Sequence, residues 1–180
     1  QEYNKLTMRY ITRIFIAVMA LTIVVGCFKD EKQGTSLWIA LYSQATADDD
    51  VVKTTADTNI EGYAFYVPKG TKWEVQSWQD ALDRRIVNKD KPGEVRTNPE
   101  VTAVFDPESE YQLKFELWSH TTFLVIVDHT NELYATRLYE TPMNLPITYT
   151  QLHLYAWKKS GSVNGWDMVN PEEETPEETE

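Results

Sequence analysis

Three histidines, His120, His129 and His153, are the side chains of this chain best suited to acid–base work or metal binding. None stands from another, or from a carboxylate, at the spacing that a helical or hairpin metal site requires. Asp128-His129 falls at a predicted turn, where polar surface residues are routine, and so is a poor catalytic pair. Ser119-His120 follows Trp118 at a strand end without the G-x-S-x-G setting of a nucleophile elbow. Asp48-Asp49-Asp50 could attract calcium, yet it lacks the alternating acids and the glycine of an EF-hand loop and reads as a solvated run. Glycine is scarce, at seven residues, and no P-loop or dinucleotide-binding fingerprint occurs. These residues predict a protein that is not an enzyme, with no catalytic residue, metal or cofactor.

Cys27 is the only cysteine, which rules out an internal disulfide, a zinc ribbon and a thioredoxin-type pair. It closes an apolar run, Ile14 to Val25, interrupted only by Thr22. Those twelve residues would rise roughly 18 Å as a helix, against a hydrocarbon core of about 30 Å. They are too short to span a membrane but suit the apolar region of a signal peptide. Arg9 and Arg13 supply its positive start, and Gly26 is the small residue expected before cleavage. Met8 reads as the initiator, with the residues before it as upstream translation.

Val24-Val25-Gly26-Cys27 resembles the lipobox of bacterial lipoproteins. The resemblance implies that Cys27 is diacylated and becomes the mature N-terminus. Acyl chains at about 0.8 kcal/mol per buried methylene would then hold the protein to the outer membrane essentially permanently. Lys29-Asp30-Glu31, just behind the cysteine, resembles the export signal that Bacteroidota use to send lipoproteins to the outer face of that membrane. Its implication is a lipid-anchored protein facing the outside of the cell.

The formal net charge is −11, and six glutamates lie between Asn170 and Glu180. Without a basic stripe the chain has no electrostatic means of holding a phosphate backbone, so nucleic acid is an improbable partner. The expected organisation is upstream residues and signal peptide over 1–26, a lipidated tether over 27–35, one folded domain over 36–169 and an acidic disordered tail over 170–180.

Period-two alternation dominates the folded part. Leu37, Ile39 and Leu41 point one way and Trp38, Ala40 and Tyr42 the other. Tyr63, Phe65 and Val67 alternate with Ala64 and Tyr66, and Tyr111, Leu113, Phe115 and Leu117 alternate with Gln112, Lys114, Glu116 and Trp118. "FLVIV", within Thr122 to Asp128, is apolar on both faces and predicts a central strand. The turn-like His129 to Glu132 then predicts a hairpin with Leu133 to Tyr139. A last strand is expected from about Thr148 to Lys158, and a weaker one at Val101 to Phe105. Ser77 and Asp80 open a helix with Trp78, Ala81, Leu82 and Ile86 on one face, and Asn88 to Pro99 reads as an exposed loop. The fold class expected is mainly all-β, an antiparallel β-sandwich of immunoglobulin-like or prealbumin-like type with about six or seven strands and one short helix.

Aromatic surplus is the remaining lead, with six tryptophans and ten tyrosines. Trp118 and Trp157 fall on the polar faces of their strands and are the candidates for stacking on a ligand ring. "GYAFYV", "WEVQSWQDAL", "FLVIVD" with "LYATR", and "LYAWK" resemble segments of small surface lipoproteins of gut Bacteroidota. That family has no assigned activity to carry over. The expected function is non-enzymatic binding or assembly at the cell surface, with a glycan or a surface protein as partner. A glycan-binding accessory of a nutrient-uptake system and a fimbria-related subunit or anchor are the alternatives.

Overall fold

The computed structural model describes residues 34–45, 51–53, 59–142, 144–153 and 160–171. Cys27, Lys29, Asp30, Glu31, the Asp48–Asp50 run, Trp157 and the six tail glutamates lie outside the described residues.

The chain opens with strands β1 (Thr35–Ala45), β2 (Val51–Lys53) and β3 (Ile60–Tyr66). A short β4 (Trp73–Glu74) leads into helix α1 (Trp78–Leu82), followed by β5 (Ile86–Asn88), β6 (Lys91–Arg96) and β7 (Val101–Phe105). The longer strands β8 (Leu113–Leu117), β9 (Thr121–Asp128), β10 (Leu133–Glu140) and β11 (Ile147–His153) precede the closing β12 (Gly161–Val163) and β13 (Trp166–Val169). Nine of these run side by side in the order β11-β1-β8-β7-β3-β9-β10-β13-β12, and β2 adds to β1. β4, β5 and β6 form a separate small sheet. β11 pairs with β1 in parallel, the one departure from antiparallel pairing among the described residues.

Mainly β is therefore correct, and the expected six or seven strands are too few. Asn88 to Pro99 is not a loop throughout, since it contains β6, and Ile86 belongs to β5 rather than to the helix. Two- to six-residue strands such as β4, β5, β6 and β12 are too short for alternation to declare itself. The helix does start where expected: Ser77 is the N-cap, its hydroxyl accepting from the Asp80 amide at 3.1 Å.

The large sheet is curled. β10 and β11 are six strand-to-strand steps apart, which would be roughly 29 Å in a flat sheet. Yet Tyr139 on β10 shares a hydrogen bond with Thr148 on β11 at 2.7 Å, and Arg137 donates to Thr150 at 3.0 Å. Only a sheet rolled into a half-barrel brings those side chains together. β7 makes the corner, because Val101 to Ala103 pair with β3 whereas Val104 and Phe105 pair with β8. Gly62 sits opposite Ala103 at that corner, where a Cβ would lie 2.9 Å from the Phe115 ring.

Rolling the sheet gives it two differently covered faces. Inside, Leu37, Ile39, Phe115, Leu124, Ile126 and Trp166 belong to one apolar core. Outside β3, β9 and β10, the helix and the small sheet cover a second core that includes Tyr63, Phe65, Trp73, Phe123, Val125 and Val127. All eight residues of β9 are buried because the strand lies between both cores, which is why "FLVIV" is apolar on each face. The Tyr63 hydroxyl donates to the Ala81 carbonyl at 2.8 Å and ties the helix to the sheet. The other half of the half-barrel, β8-β1-β11, has no second layer over its outer face among the described residues. Its outward side chains, the buried Ala40 apart, are partly or fully exposed.

Candidate functional site

That uncovered face is aromatic. β1 turns Leu37, Ile39 and Leu41 into the core, so the same alternation turns Trp38 and Tyr42 outward. On β11 Leu152 is buried, which puts Tyr149, Gln151 and His153 outward. The parallel register sets Trp38 opposite Tyr149, Ala40 opposite Gln151 and Tyr42 opposite His153. Tyr111, just before β8, completes the group.

Trp38, Tyr111 and Tyr149 form a mutually contacting set. Ring centroids are 5.7 Å apart for Trp38–Tyr111, 5.8 Å for Trp38–Tyr149 and 5.0 Å for Tyr111–Tyr149. The rings are tilted or edge-on to one another rather than coplanar, so together they make a faceted surface with faces and hydroxyl edges both presented. Tyr149 is 57% exposed. Beside this set, Tyr42 and His153 stack at 4.9 Å. Lys114 on β8, opposite Trp38 on the other side, holds its ammonium 4.7 Å from the centre of the indole.

The electrostatics of the face are mild. Desolvation, with Glu110 next in effect, raises the Tyr111 phenol pKa and keeps the ring neutral. Burial lowers the His153 pKa, which favours the neutral imidazole at pH 7. Glu116 accepts from the Ser36 hydroxyl. What remains is an aromatic surface with Lys114 and Glu116 along its β8 side and hydroxyl, amide and imidazole groups along the rest of its edge. A cavity of about 340 Å³ opens at its margin, lined by Tyr111, Tyr149, Thr150, Gln151 and the Asn164 turn between β12 and β13.

Such a surface can do little covalent chemistry. It can hold a ligand that has apolar faces and polar rims, of which a sugar ring is the plainest case. No family model, curated protein or solved structure matches the chain. The site therefore rests on its own geometry.

The residues singled out in the sequence sit elsewhere. Trp118 is half-exposed at the end of β8, its amide donating to the Tyr66 hydroxyl at 3.0 Å. Its ring lies against Gly34, where a Cβ would come within 2.8 Å of it, and it joins no aromatic cluster among the described residues. Asp128 accepts from the Thr130 and Asn131 amides at 3.0 and 3.2 Å and closes the β9–β10 turn. His129 points instead to Glu61 at 3.7 Å and to the edge of Trp78. Ser119 donates to the Thr121 carbonyl. Among the described residues no three His, Cys, Asp or Glu side chains gather as a metal site would need.

A second cavity, about 540 Å³, lies between the small sheet and β10–β13, with Trp73 and Tyr134 among its walls. Its charged groups largely satisfy one another. Glu74 pairs with Lys89 at 3.0 Å and accepts from Gln76 at 3.1 Å. Partial burial alone would raise the Glu74 pKa, and those two partners bring it below the usual value.

Sequence reasoning missed Trp38, Tyr111 and Tyr149 as a group. The signal for the first was present, since Trp38 lies on the face of β1 opposite the leucines. Nothing in the local sequence indicated that β11 docks parallel to β1 and brings Tyr149 beside it.

Proposed function

We propose that this chain is a non-enzymatic, lipid-anchored protein of the outer membrane surface that binds carbohydrate on the outer face of β8-β1-β11. The observation that carries the binding half of this reading is the contacting set of Trp38, Tyr111 and Tyr149 on a sheet face with no second layer among the described residues. Aromatic faces shed water readily against the C–H surface of a sugar, and the surrounding Gln151, Tyr42 and His153 supply hydrogen-bonding groups for hydroxyls. The anchoring half rests on the lipobox-like Val24 to Cys27 and on Lys29, Asp30 and Glu31 behind it. A protein held at the cell surface with an outward sugar platform fits a glycan-capturing accessory of a nutrient-uptake system. The immunoglobulin-like or prealbumin-like topology expected for the domain is not needed for this, since one curled sheet presents the face. A glycan array probed with the full chain in detergent tests the reading. Retention on a defined set of glycans supports it, and a blank array contradicts it.

A further inference from the structure

Arg137 has a setting that packing alone does not explain. Arg84, Arg85 and Arg96 are paired with Glu61, Asp80 and Glu100. Among the described residues Arg137 has no carboxylate partner, although the chain carries 28 acidic residues. It projects from β10 on the inner side of the curl, next to the buried Ala135 and the half-buried Tyr139. There its guanidinium lies 5.5 Å from the Tyr139 ring and 5.6 Å from the Trp166 ring. One N–H donates to the Thr150 hydroxyl at 3.0 Å, so most of the five donors of the fork find no acceptor among the described residues. Holding a cation partly out of water without a counter-charge is costly, and its pKa is pulled below the usual value by that burial. Trp166, beneath it, also keeps its indole N–H buried with no acceptor among the described residues.

Its neighbours connect it to the platform. Thr150 both accepts from Arg137 and lines the cavity at the margin of Tyr111 and Tyr149. Asn164 lines the same cavity, and the next residue, Gly165, stands beside the guanidinium, where a Cβ would be 3.5 Å from its central carbon. The cavity thus occupies the gap between β11 and the β12–β13 turn, with Arg137 behind it.

We propose that this gap is a carboxylate-binding site, in which Arg137 takes the acid group of a sugar whose ring rests on Tyr111 and Tyr149. The ligand class is then a uronic-acid glycan rather than a neutral one. The proposal rests on the carbohydrate reading of the platform and adds the acid group. A guanidinium flanked by aromatic rings keeps the edge of its fork free, which is the geometry that meets a carboxylate in two parallel hydrogen bonds.

Calorimetric titration of the full chain with tetragalacturonate and with neutral cellotetraose tests this. The parent should bind the acidic ligand at least about tenfold more tightly, the discrimination expected of a hydrogen-bonded charge pair. Arg137→Gln should lose that preference while binding the neutral ligand unchanged, and Arg137→Lys, which keeps the charge but not the fork, should retain only part of it. Melting curves without ligand establish that each variant is folded. Equal binding of both ligands by the parent, or undiminished acid preference in folded Arg137→Gln, overturns the proposal and leaves the platform standing. If neither tetrasaccharide binds, the platform reading fails, and thermal melting with galacturonate against galactose then decides the arginine. A shift specific to galacturonate and lost in Arg137→Gln upholds a carboxylate site; no such shift overturns it.

Discussion

Trp38 and Tyr149 stand directly opposite each other in parallel register, with ring centroids 5.8 Å apart and planes at 84°. One ring belongs to the first described strand and the other to the free edge of the sheet, so the pair exists only when β11 has docked on β1. The platform is thus a product of the whole topology. Its members should matter to binding far more than to stability.

A comparison of truncations tests that division. Phe115 is fully buried in the inner core, and Phe115→Ala should cost about 3–5 kcal/mol. Tyr149→Ala removes a half-exposed ring with two aromatic neighbours and should cost about 0.5–1.5 kcal/mol. Urea unfolding of the two variants measures both, and similar losses would place Tyr149 in the core.

The corner of the half-barrel makes a second prediction. A methyl at position 62 would meet the Phe115 ring at 2.9 Å and the Ala103 methyl at 3.1 Å. Gly62→Ala should therefore destabilise by about 1–3 kcal/mol, despite the usual gain of alanine over glycine in an extended strand. Phe115→Leu in the same chain should recover part of that loss, since the two changes share one space. Strictly additive costs in a double-mutant cycle would refute the crowding argument.

Alkaline stability follows from Tyr63. Burial first, and Glu61 second, push its phenol well above the ordinary value of 10.0. The folded protein therefore holds this proton more tightly than the unfolded chain does. Its contribution is complete below the unfolded pKa of about 10 and is lost as pH rises beyond it. Tyr63→Phe removes one of two donors to the Ala81 carbonyl, the Arg84 amide at 3.3 Å being the other, and should cost about 0.5–1.5 kcal/mol at pH 8. The same variant should lose less stability than the parent between pH 9.5 and 11. Parallel curves for both proteins, from urea melts across that range, would contradict the assignment.

Much of this fold was legible in the sequence wherever a strand was long enough to show its period. Leu37, Ile39 and Leu41, like Leu113, Phe115 and Leu117, are buried as their alternation predicted. Tyr111, expected on the inner face with them, joins the outer rings, and Gln112 is buried in its stead, accepting from the Leu41 amide at 2.8 Å. "FLVIV" reads as a strand covered on both sides, and it is. The hairpin at His129 to Glu132 also forms, with Asp128 paired to Leu133. What failed was pairing, because two strands far apart in sequence carry no local mark of each other. That is why Trp118 stood out as a stacking residue while Trp38 and Tyr149 did not. Alternation tells which face a ring is on only within a regular strand, and Tyr111 lies just before β8. Only topology tells which rings share a face.

The anchor is testable independently of the domain. Cys27→Ala removes the thiol that would accept the diacylglycerol, so cells given a clickable fatty acid should no longer label the protein. Replacing Lys29, Asp30 and Glu31 with alanine should keep the label but reduce cleavage by protease added to intact cells. Full labelling of the first variant contradicts lipidation at Cys27, and equal shaving of the second reduces the three residues to a linker.

The central claim, that the outer face of β8-β1-β11 holds the sugar, is tested most directly by titrating one array-selected glycan into two variants of the full chain. The rings of Trp38, Tyr111 and Tyr149 cooperate, whereas Trp118 stands apart on Gly34. Tyr149→Ala should therefore weaken binding by about fivefold or more, in line with the 0.5–1.5 kcal/mol of an aromatic contact and the loss of its hydroxyl. Trp118→Ala should leave the affinity within about twofold of the parent. Unchanged binding by Tyr149→Ala together with a loss in Trp118→Ala would contradict the account and move the site to the end of β8.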